Sequence, residues 1–173
     1  MTRRRPLPAA ALALLLAASA APAMSCGPSD AEVLKTVAVT DVIGGWYDFG
    51  VVPEGNKLVP SITFKLKNTG TRPIGSVQIM VSFWLEGKDG ETDSAQVRGI
   101  GDAIEPGAST EPMQVNATVG FTIAAPRAEA FTNSRFRDAT AKIFGKRGGK
   151  IVPLGEFKLE RRLIPHSKAS SHP

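Results

Sequence analysis

The sequence predicts an all-β fold, an antiparallel sandwich of about seven or eight strands. Three observations carry that expectation. Apolar residues recur with a period of two over much of the chain, the spacing that buries one face of a strand. Turn signals built on glycine and proline separate these runs, at Asn68-Thr69-Gly70-Thr71-Arg72-Pro73, Asp89-Gly90 and Glu105-Pro106-Gly107,. No amphipathic helical stretch of useful length comes between them. A small closed barrel is the alternative architecture.

The first residues stand outside this pattern. Arg3, Arg4 and Arg5 form a positive start, residues 7–23 are apolar, and small residues close the run. That is the layout of a secretory signal, and it is short for a spanning helix, which needs about 20 residues. Residues 1–25 are therefore read as a signal peptide. Two cleavage points compete: Ala21-Pro22-Ala23 fits the small-x-small rule, and Cys26 offers another. Residues 26–30 follow as a cysteine and linker, residues 31–164 as the folded domain, and residues 165–173 as a disordered tail without a core-forming side chain,.

Within the domain, Val37 and Val39 suggest a first strand, and Trp46, Tyr47 and Phe49 a short second one. Ile62, Phe64 and Leu66 alternate with Thr63, Lys65 and Lys67. Val77, Ile79, Val81, Phe83 and Leu85 share one face of the clearest strand, and Gln78, Met80, Ser82, Trp84 and Glu86 the other. Glu91 to Val97 is polar enough for an exposed edge. Val115, Ala117, Val119 and Phe121 form a further strand, and residues 126–134 a short helix or irregular crossover. Ala139, Ala141 and Ile143 resume the alternation. After a glycine-containing hairpin at residues 146–150, residues 151–163 read as a closing strand, bulged near Pro153-Leu154-Gly155,.

Two resemblances sharpen this reading. Ala23-Met24-Ser25-Cys26 resembles a bacterial lipobox, which implies cleavage before Cys26 and its modification with acyl chains such as palmitate. The lone cysteine of the chain supports this, because an unpaired thiol is a liability in an oxidising compartment,. By the same resemblance, Gly27 after the cysteine favours the outer membrane in a Gram-negative host. Ile62-Thr63-Phe64-Lys65-Leu66-Lys67-Asn68-Thr69-Gly70, the later segment Val81-Ser82-Phe83-Trp84-Leu85-Glu86-Gly87-Lys88-Asp89-Gly90 and Ile104-Glu105-Pro106-Gly107 resemble prokaryotic immunoglobulin-like modules of the FxLYD kind. That resemblance covers roughly residues 62–121. It implies an immunoglobulin-like sandwich and an extracytoplasmic accessory role without known catalysis, and it supplies no functional residues.

Charge narrows the choice of partner. The chain carries 21 Lys and Arg against 16 Asp and Glu, for a net charge of +5. Three of those bases precede Cys26, so the mature chain holds 18 against 16, close to +2. A nucleic-acid partner would want a more basic face, and none is expected. Lys146-Arg147-Gly148-Gly149-Lys150 reads as a solvated turn.

The residues that carry chemistry are sparse. Both histidines, His166 and His172, lie in the tail, where no scaffold holds them for base catalysis,. Glu91 and Asp93 share a strand face as neighbours, unlike carboxylates opposed across a cleft. With Asp89 they form a conceivable calcium cluster without the spacing of a helix-loop-helix calcium loop. Gly99-Ile100-Gly101-Asp102 lacks the third glycine of a phosphate loop. Met80 and Met113 are too few for a soft copper site. No catalytic residue, metal or cofactor is therefore expected.

Three aromatic residues, Trp46, Tyr47 and Trp84, are the candidate binding surface, since such side chains are enriched at recognition sites. The alternative is that the two tryptophans cover the core. The function expected is that of a non-enzymatic, lipid-anchored envelope protein, tethered at Cys26, whose sandwich binds another envelope protein. The alternative is a soluble periplasmic or surface protein that binds a small ligand or glycan.

Overall fold

The computed structural model describes residues 27–97 and 100–165. Its first element is a short helix, α1 (Asp30–Lys35), where a linker is expected to end. Ser29 starts it by accepting from the Glu32 amide while the Glu32 carboxylate accepts from the Ser29 amide, a reciprocal cap,. Leu34 on this helix is fully buried and closes one end of the sandwich.

β1 (Val37–Val52) and β2 (Gly55–Asn68) form a long antiparallel hairpin. The two short strands expected at residues 37–39 and 46–49 are one strand. The ladder slips between Thr40 and Ile43, where Asp41 has a positive φ of 53°, and such a bulge bends a strand without ending it. Then come β3 (Gln78–Leu85), β4 (Asp93–Val97), β5 (Met113–Asn116) and β6 (Phe121–Ile123). A 3-10 helix (Arg127–Thr132) occupies the expected crossover. β7 (Ala139–Arg147), β8 (Lys150–Lys158) and β9 (Leu163–Ile164) complete the order.

The strands make two sheets. The first runs β5-β2-β1-β9, with β6 also on β2, and the second runs β4-β3-β7-β8. Leaving out β9, this is the chain order of an immunoglobulin-like sandwich, with strands A, B and E facing C′, C, F and G. The core between the sheets takes Leu58, Ile62, Phe64 and Leu66 from β2 and Ile79, Val81 and Phe83 from β3, with Val77 just before it, all essentially inaccessible to water. The alternation in the sequence is thus the inward face of both strands. At the far end from α1, an aromatic cluster fills the core: Phe136 lies 4.5 Å from Trp46 and 5.2 Å from each of Phe121 and Phe131, between ring centroids,.

Two expected strands divide, each for a local reason. Residues 115–121 split into β5 and β6. β5 pairs with Ser61–Phe64 and β6 with Asn56–Leu58, so the break faces Val59 and Pro60. The Pro60 carbonyl accepts from the Ala117 amide on this side. A residue's N–H and C=O point to the same neighbour in an antiparallel ladder, so the N–H that Pro60 lacks is missing here. The closing strand also divides. β8 bulges as expected, with Phe144 facing Pro153 and Ile143 facing Gly155, which leaves Leu154 as the extra residue. It then ends at Lys158, and Leu159 turns into the core. The chain crosses to the first sheet, where the Arg162 carbonyl accepts from the Trp46 amide at 2.8 Å. β9 lies parallel to β1, with Leu163 beside Trp46 and Ile164 beside Tyr47.

Candidate interaction surface

The three expected aromatics do not share a surface. Trp46 is fully buried and points inward onto Phe136, so it belongs to the core and is corrected as a binding residue. Its indole nitrogen finds no hydrogen-bond partner among the described residues. The slip near Asp41 is the cause, because it reverses which residues of β1 face inward,. Tyr47 is therefore turned to the outer face of the first sheet, where it is half-buried. Trp84 is half-buried on the outer face of the second sheet, as the alternation of β3 predicts. Cys26, His166 and His172 lie outside the described residues.

The outer face of the second sheet is built in three rungs. Trp84, Thr140 and Lys158 stand abreast across β3, β7 and β8, followed by Ser82, Lys142 and Glu156 and then by Met80, Phe144 and Pro153. The Lys142 ammonium sits 4.6 Å from the centre of the Trp84 ring and 3.4 Å from the Glu156 carboxylate. It thereby covers part of the indole while keeping its charge at the surface. The indole nitrogen of Trp84 has no hydrogen-bond partner among the described residues. The result is an apolar diagonal of Trp84, Phe144 and Met80, interleaved with one lysine–glutamate pair and a second lysine.

At the Trp84 end, the sheet opens into a cleft of about 570 Å³ lined by Trp84, Glu86, Lys88, Asp138, Lys158 and Arg161. Two of its charges are committed to each other. Arg161 holds Asp138 by two hydrogen bonds, Nε to Oδ1 at 2.6 Å and Nη2 to Oδ2 at 3.0 Å, and donates a third to the Phe131 carbonyl. The Arg161 hydrogen bond keeps the Asp138 carboxyl below its usual range despite some burial, with Lys158 adding to the effect,. The same contact raises the Arg161 guanidinium. This pair, 23 residues apart, has no signature in the sequence.

The outer face of the first sheet differs, because the end of the described chain covers part of it. A Cβ added to Gly45 would meet the Ile164 side chain and the Arg162 carbonyl, both at 2.8 Å. Beyond Ile164, the Pro165 carbonyl accepts from Gln114 on β5. Val59 and Ser61, on this outer face of β2, are consequently fully buried.

Two of the carboxylates considered for catalysis or calcium, Glu91 and Asp93, have structural work. Glu91 accepts from the Ser82 hydroxyl at 2.9 Å. Asp93, on the edge strand β4, accepts from the amides of Thr118 and Val119 and the Thr118 hydroxyl, and so ties the second sheet to the β5–β6 loop of the first. Burial pushes the Asp93 carboxyl up, but these hydrogen bonds and one from the Ser94 amide prevail and hold it below its usual value,. Among the described residues, no three His, Cys, Asp or Glu side chains gather as a metal site. No helix there is long and apolar enough to cross a membrane. Compared with known proteins, the chain matches no family model and no curated relative.

Proposed function

We propose that this chain is a non-enzymatic envelope protein, lipid-anchored at Cys26, whose sandwich binds another envelope protein through the outer face of the second sheet. The observation that carries the reading is the Trp84–Phe144–Met80 diagonal. An aromatic and methionine-bearing face with interleaved charge has the composition of a recognition surface. The first sheet supports the choice in part, since the middle of its outer face, around Gly45 and Ser61, is covered by the chain's own Ile164 and Pro165. The lipobox and FxLYD resemblances belong to the same proposal, and so do export and the outer-membrane location. A ligand- or glycan-binding role has one observation in its favour, the cleft at the Trp84 end.

Two measurements test this. The intact mass of the mature protein from its native host, with Cys26→Ser as control, reads the anchor. A mass that starts at Cys26 with acyl chains supports it, and an unmodified mass that starts at Met24 overturns it. The face is tested by a photo-crosslinking residue placed at Phe144, with one at Glu54 as control. A discrete adduct from position 144 that disappears in Lys142→Glu supports a protein partner. No adduct, or the same adduct from position 54, refutes it.

A further inference from the structure

The N-terminus of the described chain enters the fold at one pole of the sandwich. Asp30 of α1 forms an ion pair with Arg147 at 2.9 Å. The Thr69 amide donates to the Thr36 carbonyl, the Gly107 amide to Asn68, and the Arg147 guanidinium to Gly75. Helix α1, the β2–β3 loop, the Gly107 turn and the β7–β8 hairpin are therefore knitted into one end of the molecule. Cys26 stands three residues before Ser29, the cap of the docked helix. Three residues span at most about 11 Å when fully extended.

The side chains at this pole carry a small excess of positive charge, five cations (Lys35, Arg72, Lys146, Arg147 and Lys150) against four carboxylates (Asp30, Glu32, Asp102 and Glu105). Lys35, Arg72 and Lys150 are exposed and Lys146 half-buried, and none of the four forms an ion pair among the described residues. Asp30 is offset by its ion pair with Arg147, whereas Glu32 keeps its charge within the helix cap. Asp102 and Glu105 are exposed as well, so the free cations exceed the free carboxylates by one. At the hairpin, Ile151 is 55% exposed next to Lys150, an apolar side chain beside a cation, which suits a headgroup boundary.

We infer that this pole, led by the β7–β8 hairpin, is a docking surface for an anionic phospholipid membrane. The inference rests on the proposal that Cys26 is acylated. Acylation fixes the lipid surface at Cys26, and the three-residue tether keeps the pole within about one Debye length of it, roughly 10 Å at 0.1 M salt. At that range, lysine and arginine are drawn to anionic headgroups. The domain is thus held against the bilayer with its α1 end down, and the outer face of the second sheet stands upright beside it. The run at residues 146–150, a solvated turn by sequence, becomes the contact point.

The test uses the mature, acylated protein in vesicles of phosphatidylcholine with or without phosphatidylglycerol. An environment-sensitive fluorophore is attached through Ile151→Cys, or through Glu54→Cys at the opposite pole. A nitroxide carried on the lipid headgroup is the quencher. The expected result is quenching and a blue shift at position 151 but not at 54. Both should be stronger with phosphatidylglycerol, and both should be lost in Lys146→Glu/Lys150→Glu. High salt applied to the unaltered pair repeats the loss without depending on how that variant folds. Equal signals from both positions, or a position-151 signal indifferent to phosphatidylglycerol and salt, overturn the inference while leaving the anchor in place. Absence of acyl mass overturns the anchor reading, and this inference with it.

Discussion

Replacing Asp93 with asparagine should loosen one edge of the sandwich and remove a pH-dependent part of its stability. The wild-type carboxylate accepts from the Ser94 amide at 2.8 Å, the Thr118 hydroxyl at 2.9 Å and the Val119 amide at 3.1 Å, as well as from the Thr118 amide. Hydrogen bonds to a charged group contribute about 1.5–3 kcal/mol when buried. This carboxylate is half-exposed, so solvent screening reduces the total to about 1–2 kcal/mol. Asparagine keeps one acceptor and turns an amine toward donors. The folded-state value of Asp93 is depressed, so its contribution is complete above the unfolded value of about 3.9 and disappears as pH falls through the lower folded value. Urea denaturation of both proteins across the acid range reads the difference. It should be about 1–2 kcal/mol near neutral pH and shrink toward zero in strong acid, where both side chains are uncharged. The other carboxylates titrate alike in both proteins and cancel. Equal stability at neutral pH would refute the clasp, and so would a difference that persists unchanged in acid.

Other perturbations separate the core from the faces. Trp46→Ala should cost about 3–5 kcal/mol, read by thermal or urea unfolding, because it empties the aromatic cluster under Phe136. Trp84→Phe should leave stability within about 1 kcal/mol of wild type. It would also leave a single buried tryptophan, so the remaining emission should be blue-shifted and resistant to iodide. Gly120→Ala should destabilise by about 1–3 kcal/mol. Its new methyl would fall on the Leu58 carbonyl and 2.8 Å from the Val59 Cα, and that backbone cannot step aside as a side chain could.

The fold was readable where the strand period runs unbroken. From Val77 to Leu85 nothing interrupts the alternation, and parity alone places Trp84 on the outside. In β1 the same logic fails. Extending the parity of Val37 and Val39 would turn Tyr47 inward and Trp46 outward, and the slip at Asp41 does the reverse. A bulge in an isolated strand carries little sequence signal, since aspartate tolerates positive φ but does not demand it. The split between β5 and β6 lies in Pro60, a residue of the partner strand, so no reading of residues 113–123 by themselves could find it. Asp93 reads as a polar edge residue because its partners lie 25 and 26 residues away.

The candidate surface follows from how the sandwich disposes of its two outer faces. A two-sheet sandwich always has two, and each must be solvated, covered or used. The chain covers part of the first with itself: once β8 ends and Leu159 enters the core, the backbone pairs beside Trp46, and Ile164 settles on Gly45, while Ile43 on the same face stays 47% exposed. Gly45 permits this, since any side chain there would strike Ile164 and Arg162. No described segment crosses the rungs of the second sheet, yet Trp84 and Phe144 stand on it beside charged residues. Trp84 and Phe144 give that face aromatic area of the kind enriched at recognition surfaces,. The position to probe is therefore Trp84 with its neighbours Lys142 and Phe144. Trp46 and Tyr47, adjacent in the sequence, are assigned by the same geometry to the core and to the opposite face.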